Sequence, residues 1–278
     1  MCRCQPICSI CCARFSVSCK SPNLLVLETV SSPQHCIVPD WPAPPNVRAL
    51  QTTRAGGVSS APYASLNLGS HVGDAPLAVA RNRTLLNGLL PSEPVWMEQV
   101  HGKVVANADA ASCSAQADAC IARHRAAVCV VMTADCLPIL LCDRQGTVVG
   151  AAHAGWKGLA AGVIEATVNE MRVGGPQLMA WLGPAISQPV FEVGAEVREL
   201  FADDPASAAA FIPCDKTHGH AAQKFHADLY ALARLRLNAL GIKQIYGGDR
   251  CTYRESEKFF SYRRDGVTGR MGTFIWME

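Results

Sequence analysis

The stretch TADCLPILLCDRQGTVVGAAHAGWKG, residues 133–158, sets two strongly apolar runs against two abrupt breaks. Short continuous apolar runs bounded by turn residues are the pattern of strands buried on both faces. AAVCVVMTADCLPILLCD therefore reads as two buried strand segments around an Asp135-Cys136 turn, and GTVVGAAHAGW as a further strand that ends in small residues. Cys136 and His153 each stand where a strand gives out, 17 positions apart. Strand ends are where α/β proteins keep their chemistry.

Working outward, KGLAAGVIEATVNEMRVGG predicts one helix, with Val163, Ile164, Val168 and Met171 on a common face and Gly174-Gly175 closing it. QLMAWLGPAI predicts a strand. KFHADLYALARLRLNALGI predicts a helix with an apolar stripe of Leu229, Leu232, Leu235 and Leu240, closed by Gly241. FFSYRRDGVTGRMGTFIWM reads as a hairpin turning at Asp265-Gly266, with one of Arg263, Arg264 and Arg270 paired to an internal carboxylate such as Asp249. Upstream, VRALQTTR alternates like a strand and runs into a Gly56-Gly57 turn. PLAVARNRTLLNGLL has helical spacing up to Pro91, and PVWMEQVHGKVVANAD predicts a strand, a break at His101-Gly102 and a second strand. Strands and helices mix without strict alternation and without an internal repeat. The expectation is one α+β (mixed α/β) domain from residue 35 to 278.

The 278 residues are 49% hydrophobic and 17% charged, with mean hydropathy +0.12, as in an ordinary globular protein with a filled core. Residues 1–34 carry Arg3, Arg14 and Lys20 against Glu28, which accounts for the whole net charge of +2 and leaves the remainder neutral. A neutral body gives no electrostatic case for nucleic acid or a membrane surface, and no apolar stretch is long enough to span a bilayer. Six of the 14 cysteines crowd into the first 20 residues, where Cys2, Cys4, Cys8 and Cys11 could form a zinc cluster. The absence of any helix or strand pattern favours a disordered extension or an over-long start over residues 1–34. The other eight cysteines are scattered in mostly apolar runs, which suits reduced thiols in a cytoplasmic protein.

Three potential metal ligands stand at strand breaks: His101, Cys136 and His153. One thiolate and two imidazoles suit zinc, and three protein ligands leave the fourth tetrahedral position open, the catalytic arrangement in which bound water is acidified to a pKa of about 7. Copper also accepts these donors. Spacings of 35 and 17 residues form no local metal motif, so a core cysteine and two unrelated histidines remain the alternative. For an anion, the Gly155–Gly158 strand-to-helix turn with Lys157, Arg54 and Arg83 present themselves, each with a surface role as the competing reading. Asn67 could bond a substrate amide or only its own turn.

TTRAGGVSSAPYASLNLGSHVGD, EQVHG, TADCLPILL, AAHAGWKGLAAGV, WLGPAIS, FEVG and SYRRDGVTGRMGTFIWM occur in this order. Together they resemble the YfiH-like family, the polyphenol-oxidase or laccase-domain proteins now regarded as purine nucleoside phosphorylases, over residues 38–278. The resemblance implies a single-domain α/β/β/α sandwich and one zinc held by His101, Cys136 and His153. It further implies phosphorolysis of adenosine, inosine and guanosine, cleavage of methylthioadenosine, and hydrolytic deamination of adenosine; separately, the expected assembly is a monomer or homodimer. Deamination would require a proton carrier, for which Asp135 or Glu98 stands nearest in sequence; phosphorolysis would require an anion site, for which Arg54, Arg83, Lys157 and the 155–158 turn are the expectations. Eight histidines and a single His-x-His pair, His218-Gly219-His220, are too few for a four-copper centre in one subunit. Three other classes compete: a single-copper phenol oxidase, a thiol hydrolase of the peptidoglycan-editing kind with Cys136 as nucleophile and His153 as base, and a metal-stabilised structural or interaction protein without turnover.

Overall fold

The computed structural model describes residues 35–110, 116–214 and 223–278. The Cys-rich start and the His218-Gly219-His220 pair lie outside these. Strands are numbered along the chain. One sheet has the order β1 (Cys36–Ile37), β2 (Val47–Thr52), β13 (Met271–Met277), β5 (Cys129–Thr133). The larger sheet has the order β12 (Gln244–Gly247), β8 (Leu178–Leu182), β6 (Leu137–Asp143), β7 (Val149–Ala154), β4 (Ala119–Ala122), β3 (Val105–Asn107). A small third sheet joins β10 (Phe211–Pro213), β11 (Lys224–Ala227) and β9 (Glu192–Gly194).

The apolar runs are continuous because both faces of the central strands are covered. Cys120, Leu140, Cys142, Val149, Ala151 and Met179 meet Val131, Ile275 and Met277 of the smaller sheet in one cluster. Their neighbours in register, such as Ile139, Leu141, Ala152 and Ala180, point the other way and pack on α3 (Val163–Met171) and α5 (Leu229–Ala239). The outer face of the smaller sheet packs Val130, Met132 and Phe274 against Leu86 and Leu90, which follow α1 (Pro76–Thr84). The layers are thus α/β/β/α. Each fully buried Leu or Ile here contributes roughly 1.5–3 kcal/mol.

Several elements differ from the sequence expectation, each for a local reason. The helix expected from Lys157 is two helices, α2 (Trp156–Ala161) and α3, because Gly162 adopts φ 88° and ψ 38°, which an L side chain tolerates poorly. The 224–242 segment begins as β11, and the helix starts only after Asp228, whose carboxylate accepts from Ala231 N–H at 3.0 Å. Its buried stripe runs through Leu229, Leu232 and Leu237, while Leu235 and Leu240 are half-buried. No hairpin forms at Asp265-Gly266. Phe259 and Phe260 are wholly buried plugs, Ser261 caps the short helix α6 (Tyr262–Asp265), and β13 pairs with β2 and β5 instead. Asp249 is exposed; Arg264 pairs with the adjacent Asp265 at 2.8 Å.

The strand expected before His101 is reduced to bridges at Val95 and Glu98. Its place beside β5 is taken by one side chain: Gln99 donates to Met132 C=O at 2.9 Å and accepts from Met132 N–H at 2.7 Å. No helix among the described residues is long and apolar enough to cross a membrane.

Candidate metal centre

The spacing of Cys136 and His153 is a matter of strand register. β6 and β7 pair antiparallel with Leu137 opposite Ala154 and Pro138 opposite His153. Continued by one step, that register sets Cys136 beside Gly155. A Cβ on Gly155 would lie 2.7 Å from Cys136 Sγ, so the glycine is what allows the thiol to close on the strand end. His101 arrives from the loop before β3, with φ 61°, and its Nε2 lies 3.9 Å from Cys136 Sγ. No two donor atoms of His101, Cys136 and His153 are further apart than 4.8 Å.

Asp118 organises both histidines, and nothing in the sequence singled it out. It is fully buried just before β4. Its carboxylate accepts the N–H groups of Val100, His101 and Gly102 at 3.2, 2.9 and 2.6 Å, which fixes the left-handed backbone of His101. The same carboxylate meets His153 Nδ1 at 2.8 Å, leaving Nε2 as the free ring nitrogen. A metal-ligating histidine commonly hands its second nitrogen to a carboxylate in this way. Burial opposes the charge of Asp118, but the bonds from His153 and from Gly102 and His101 N–H outweigh it and hold the carboxyl below its ordinary value.

The thiol and imidazole polarise one another. Burial works against a Cys136 thiolate, yet the charge of His153 and the bond from His101 bring the thiol down to about 6. Burial likewise works against a charged His153, and the Cys136 thiolate and the Asp118 bond push it up to about 9. The donor set is therefore a thiolate and two imidazoles, gathered within 4.8 Å of one another, so that a small inward closure of the side chains would bring all three onto one tetrahedral ion. The residues fit a single metal ion, zinc by donor preference and copper by donor tolerance.

Two cavities open onto this cluster. One, of about 360 Å³, is lined by Thr133, Gln99, His71 and Arg270. The other, of about 270 Å³, is lined by Trp156, Ile186, Phe191, Leu229 and Arg263. His101, Ala134, Cys136 and Tyr262 belong to both walls.

The remaining sequence-derived residues lie elsewhere or are engaged. Asp135, at φ 96°, lines the second cavity, but its oxygens accept from Thr252 hydroxyl at 2.6 Å and Arg263 N–H at 2.7 Å. Glu98 is exposed and accepts from Gln116 at 3.2 Å. Arg54 donates to the carbonyls of Ala64 and Ser256 and covers Phe260. Arg83 donates to Leu68 C=O and stacks 3.8 Å from the Trp96 ring centre. Asn67 is fully buried, donating to Asp74 and Gly69 C=O and accepting from Gly69 and Arg270 N–H. Lys157 is exposed, with its ammonium 5.4 Å from the Trp156 ring centre. None of Arg54, Asn67, Arg83 and Lys157 lines either cavity. His71, Gln99, Arg270 and the apolar wall of the second cavity were missed. His71 and Arg270 sit in loops with no periodicity, so only the fold reveals their convergence.

A family model described as multi-copper polyphenol oxidoreductase laccase matches residues 48–278. The chain is 56% identical over 245 residues to purine nucleoside phosphorylase YfiH of Escherichia coli, covering 87% of this chain and 98% of that protein. It is 51% identical over 243 residues to a purine nucleoside phosphorylase of Pseudomonas aeruginosa, with the same coverage of 87% and 98%. A crystal structure of a Neisseria meningitidis protein superposes with a TM-score of 0.82 at 49% identity, covering 88% of this chain and 99% of the other. The crystal structure of Bacillus licheniformis hypothetical protein YfiH gives 0.78 at 27% identity, covering 90% and 98%.

Proposed function

From its place in the laccase-like polyphenol oxidoreductase family, to which the chain belongs, we propose that it is a zinc-dependent purine nucleoside phosphorylase. The observation that carries this reading is the His101, Cys136 and His153 cluster at the junction of two unlike cavities, with His101 and Cys136 in the wall they share and His153 in the wall of the larger. A purine ring suits the cavity with Trp156, Ile186, Phe191 and Leu229, because flat aromatic bases are held by apolar and aromatic surface. The reaction joins a phosphate oxygen to C1′ as the C1′–N9 bond breaks. The bonding pair leaves with the purine, and the proton of hydrogenphosphate ends on the base. A bound zinc supplies positive charge and Lewis acidity at the junction. Cys136, His101 and His153 would hold it, and Asp118 keeps the two histidines in place.

In this reading adenosine, inosine, guanosine and methylthioadenosine are substrates of one chemistry. Deamination of adenosine is the slower activity in this reading. It needs a carboxylate to move protons at C6. Asp135 has both oxygens engaged, and Glu98 lies outside both cavities. Phosphorolysis needs no such group. A thiol hydrolase of the peptidoglycan-editing kind is the second reading, favoured by the Cys136 thiolate and charged His153 of the metal-free protein. A single-copper phenol oxidase is the third. The protein acts in the cytoplasm, as a monomer or homodimer.

The test is product analysis of purified protein supplied with adenosine, with and without phosphate. Adenine and ribose 1-phosphate are expected only with phosphate, with little inosine, and chelation should abolish both. Absence of base release at any phosphate concentration would overturn the reading, and turnover that survives complete metal removal would favour the thiol hydrolase.

A further inference from the structure

Resting on the phosphorolysis reading, we propose that Arg270 binds the attacking phosphate, in the cavity it lines together with Thr133 and His71. Arg270 enters that cavity just before β13. Its backbone N–H donates to the side-chain Oδ1 of the buried Asn67 at 2.9 Å, and its Nη1 donates to Thr268 and Gly269 C=O at 3.0 Å each. These bonds fix the base of the side chain and one edge of the guanidinium. No carboxylate stands within ion-pair distance of it among the described residues, whereas Arg48, Arg236, Arg250 and Arg264 all have one. Its ring contact is Tyr262, 5.9 Å from the centroid, on the same cavity wall.

Cys136 and Asp135 act on it only at a distance, and a partly buried guanidinium with no carboxylate in contact is costly unless a ligand brings the charge. Arg54 and Arg83 solve this differently: they lie over Phe260 and Trp96, on carbonyls, outside the cavity. A second group points to the same guest. Thr133 is 1% exposed, lines the cavity, and has a hydroxyl with no hydrogen-bond partner. A phosphate offers acceptor oxygens to both, and its fork geometry matches a guanidinium. Arg263, the cation of the other cavity, spends Nη1 on Glu192 C=O and covers Phe191, and it is the wall of the base. Phosphate held by Arg270 thus approaches C1′ from the side opposite the purine. One of its oxygens forms the new bond to C1′ while the C1′–N9 pair departs with the base.

The experiment measures binding of inorganic phosphate to the metal-loaded protein by calorimetry, at constant ionic strength, for wild type, Arg270→Gln and Arg263→Gln. The wild type should bind phosphate, Arg270→Gln should bind it about tenfold or more weakly, and Arg263→Gln should bind it as the wild type does. Phosphate affinity unchanged in a folded Arg270→Gln, or no phosphate binding by the wild type, overturns the assignment. If Arg270→Gln does not fold, a crystal of the wild type with phosphate decides: phosphate within hydrogen-bond reach of the guanidinium supports the assignment, and phosphate found only elsewhere overturns it. Base release is assayed alongside. Base release by the wild type with Arg270→Gln keeping its phosphate affinity sinks this inference alone. Phosphate binding lost in Arg270→Gln, but no base release by the wild type, sinks phosphorolysis alone.

Discussion

The strand β6 is bracketed by the same two residues in mirror order, Asp135-Cys136 at one end and Cys142-Asp143 at the other. The two ends nevertheless do opposite things. At the far end, Cys142 faces the closed space between the sheets, where burial pushes its thiol up to about 12. Asp143 there ties a turn, accepting Thr147 N–H and hydroxyl at 2.7 and 2.8 Å and Val148 N–H at 3.0 Å. At the near end, Cys136 meets two imidazoles and its thiol falls to about 6. Residue type and neighbour in sequence are therefore poor guides to chemistry. What decides is whether the strand end opens on solvent and partners or on the core.

The widest separation of the two ends should appear in thiol alkylation of the metal-free protein. The thiolate is the nucleophile, so a thiol lowered to about 6 keeps its full rate above pH 7 and loses about tenfold per unit below pH 6. Cys142, raised to about 12 and wholly buried, should react at least about a thousandfold more slowly at pH 7 in the folded chain. Peptide mapping after timed iodoacetamide exposure reads both. Equal labelling would erase the distinction.

Substitution should divide the ends next. Cys136→Ser removes the one thiolate of the cluster, and the bound metal should fall below about a tenth of wild type while circular dichroism stays native. Cys142→Ser should keep metal and activity and cost about 1–3 kcal/mol of stability, the penalty of a hydroxyl in an apolar layer. Retention of full metal by Cys136→Ser would remove the site.

Asp118→Asn tests what makes the near end special beyond its cysteine. Loss of the carboxylate that serves both histidines should weaken metal affinity about 10- to 100-fold, measured by competition with a chelator. An unchanged affinity would mean that the ligands hold themselves.

The smallest effect belongs to Asp135, the acid of the near end. If it only fixes the loop, Asp135→Asn keeps an acceptor, costs about 1–2 kcal/mol of stability and lowers turnover less than about tenfold. A loss of about 100-fold or more in kcat with unchanged melting would restore it as a proton carrier.

The sheet strands at residues 129–154 were legible because both-face burial writes long apolar runs, and His101, Cys136 and His153 stood out because they interrupt those runs, although only the family resemblance, not their spacing, joined them into one cluster. Asp118 was not. It sits among Gln116, Ala117 and Ala119, and its role arises from three N–H groups and a ring that come from other segments. The Gly162 kink was hidden for a related reason: the apolar face of α3 continues across it, so periodicity alone reads through the break. Arg270 was read only as one of three hairpin arginines, paired to a carboxylate or facing solvent, and His71 not at all, because loops carry no period that would bring them to one cavity. The arginines that stood out in sequence, Arg54 and Arg83, proved to be tied to carbonyls and aromatic rings.

The Gln99 amide has a bearing on how the protein behaves in bulk. β5 is the last strand of its sheet, and its open N–H and C=O groups are a template on which another chain could add a strand. Gln99 covers the pair at Met132, and Val95 N–H covers Val128 C=O at 3.2 Å. Because Gln99 also lines the larger cavity, the wall of that cavity and the guard against edge-to-edge aggregation are the same side chain. Gln99→Ala, made to widen the pocket, should therefore be paid for in solubility, with light scattering on gentle heating rising well before the secondary structure is lost.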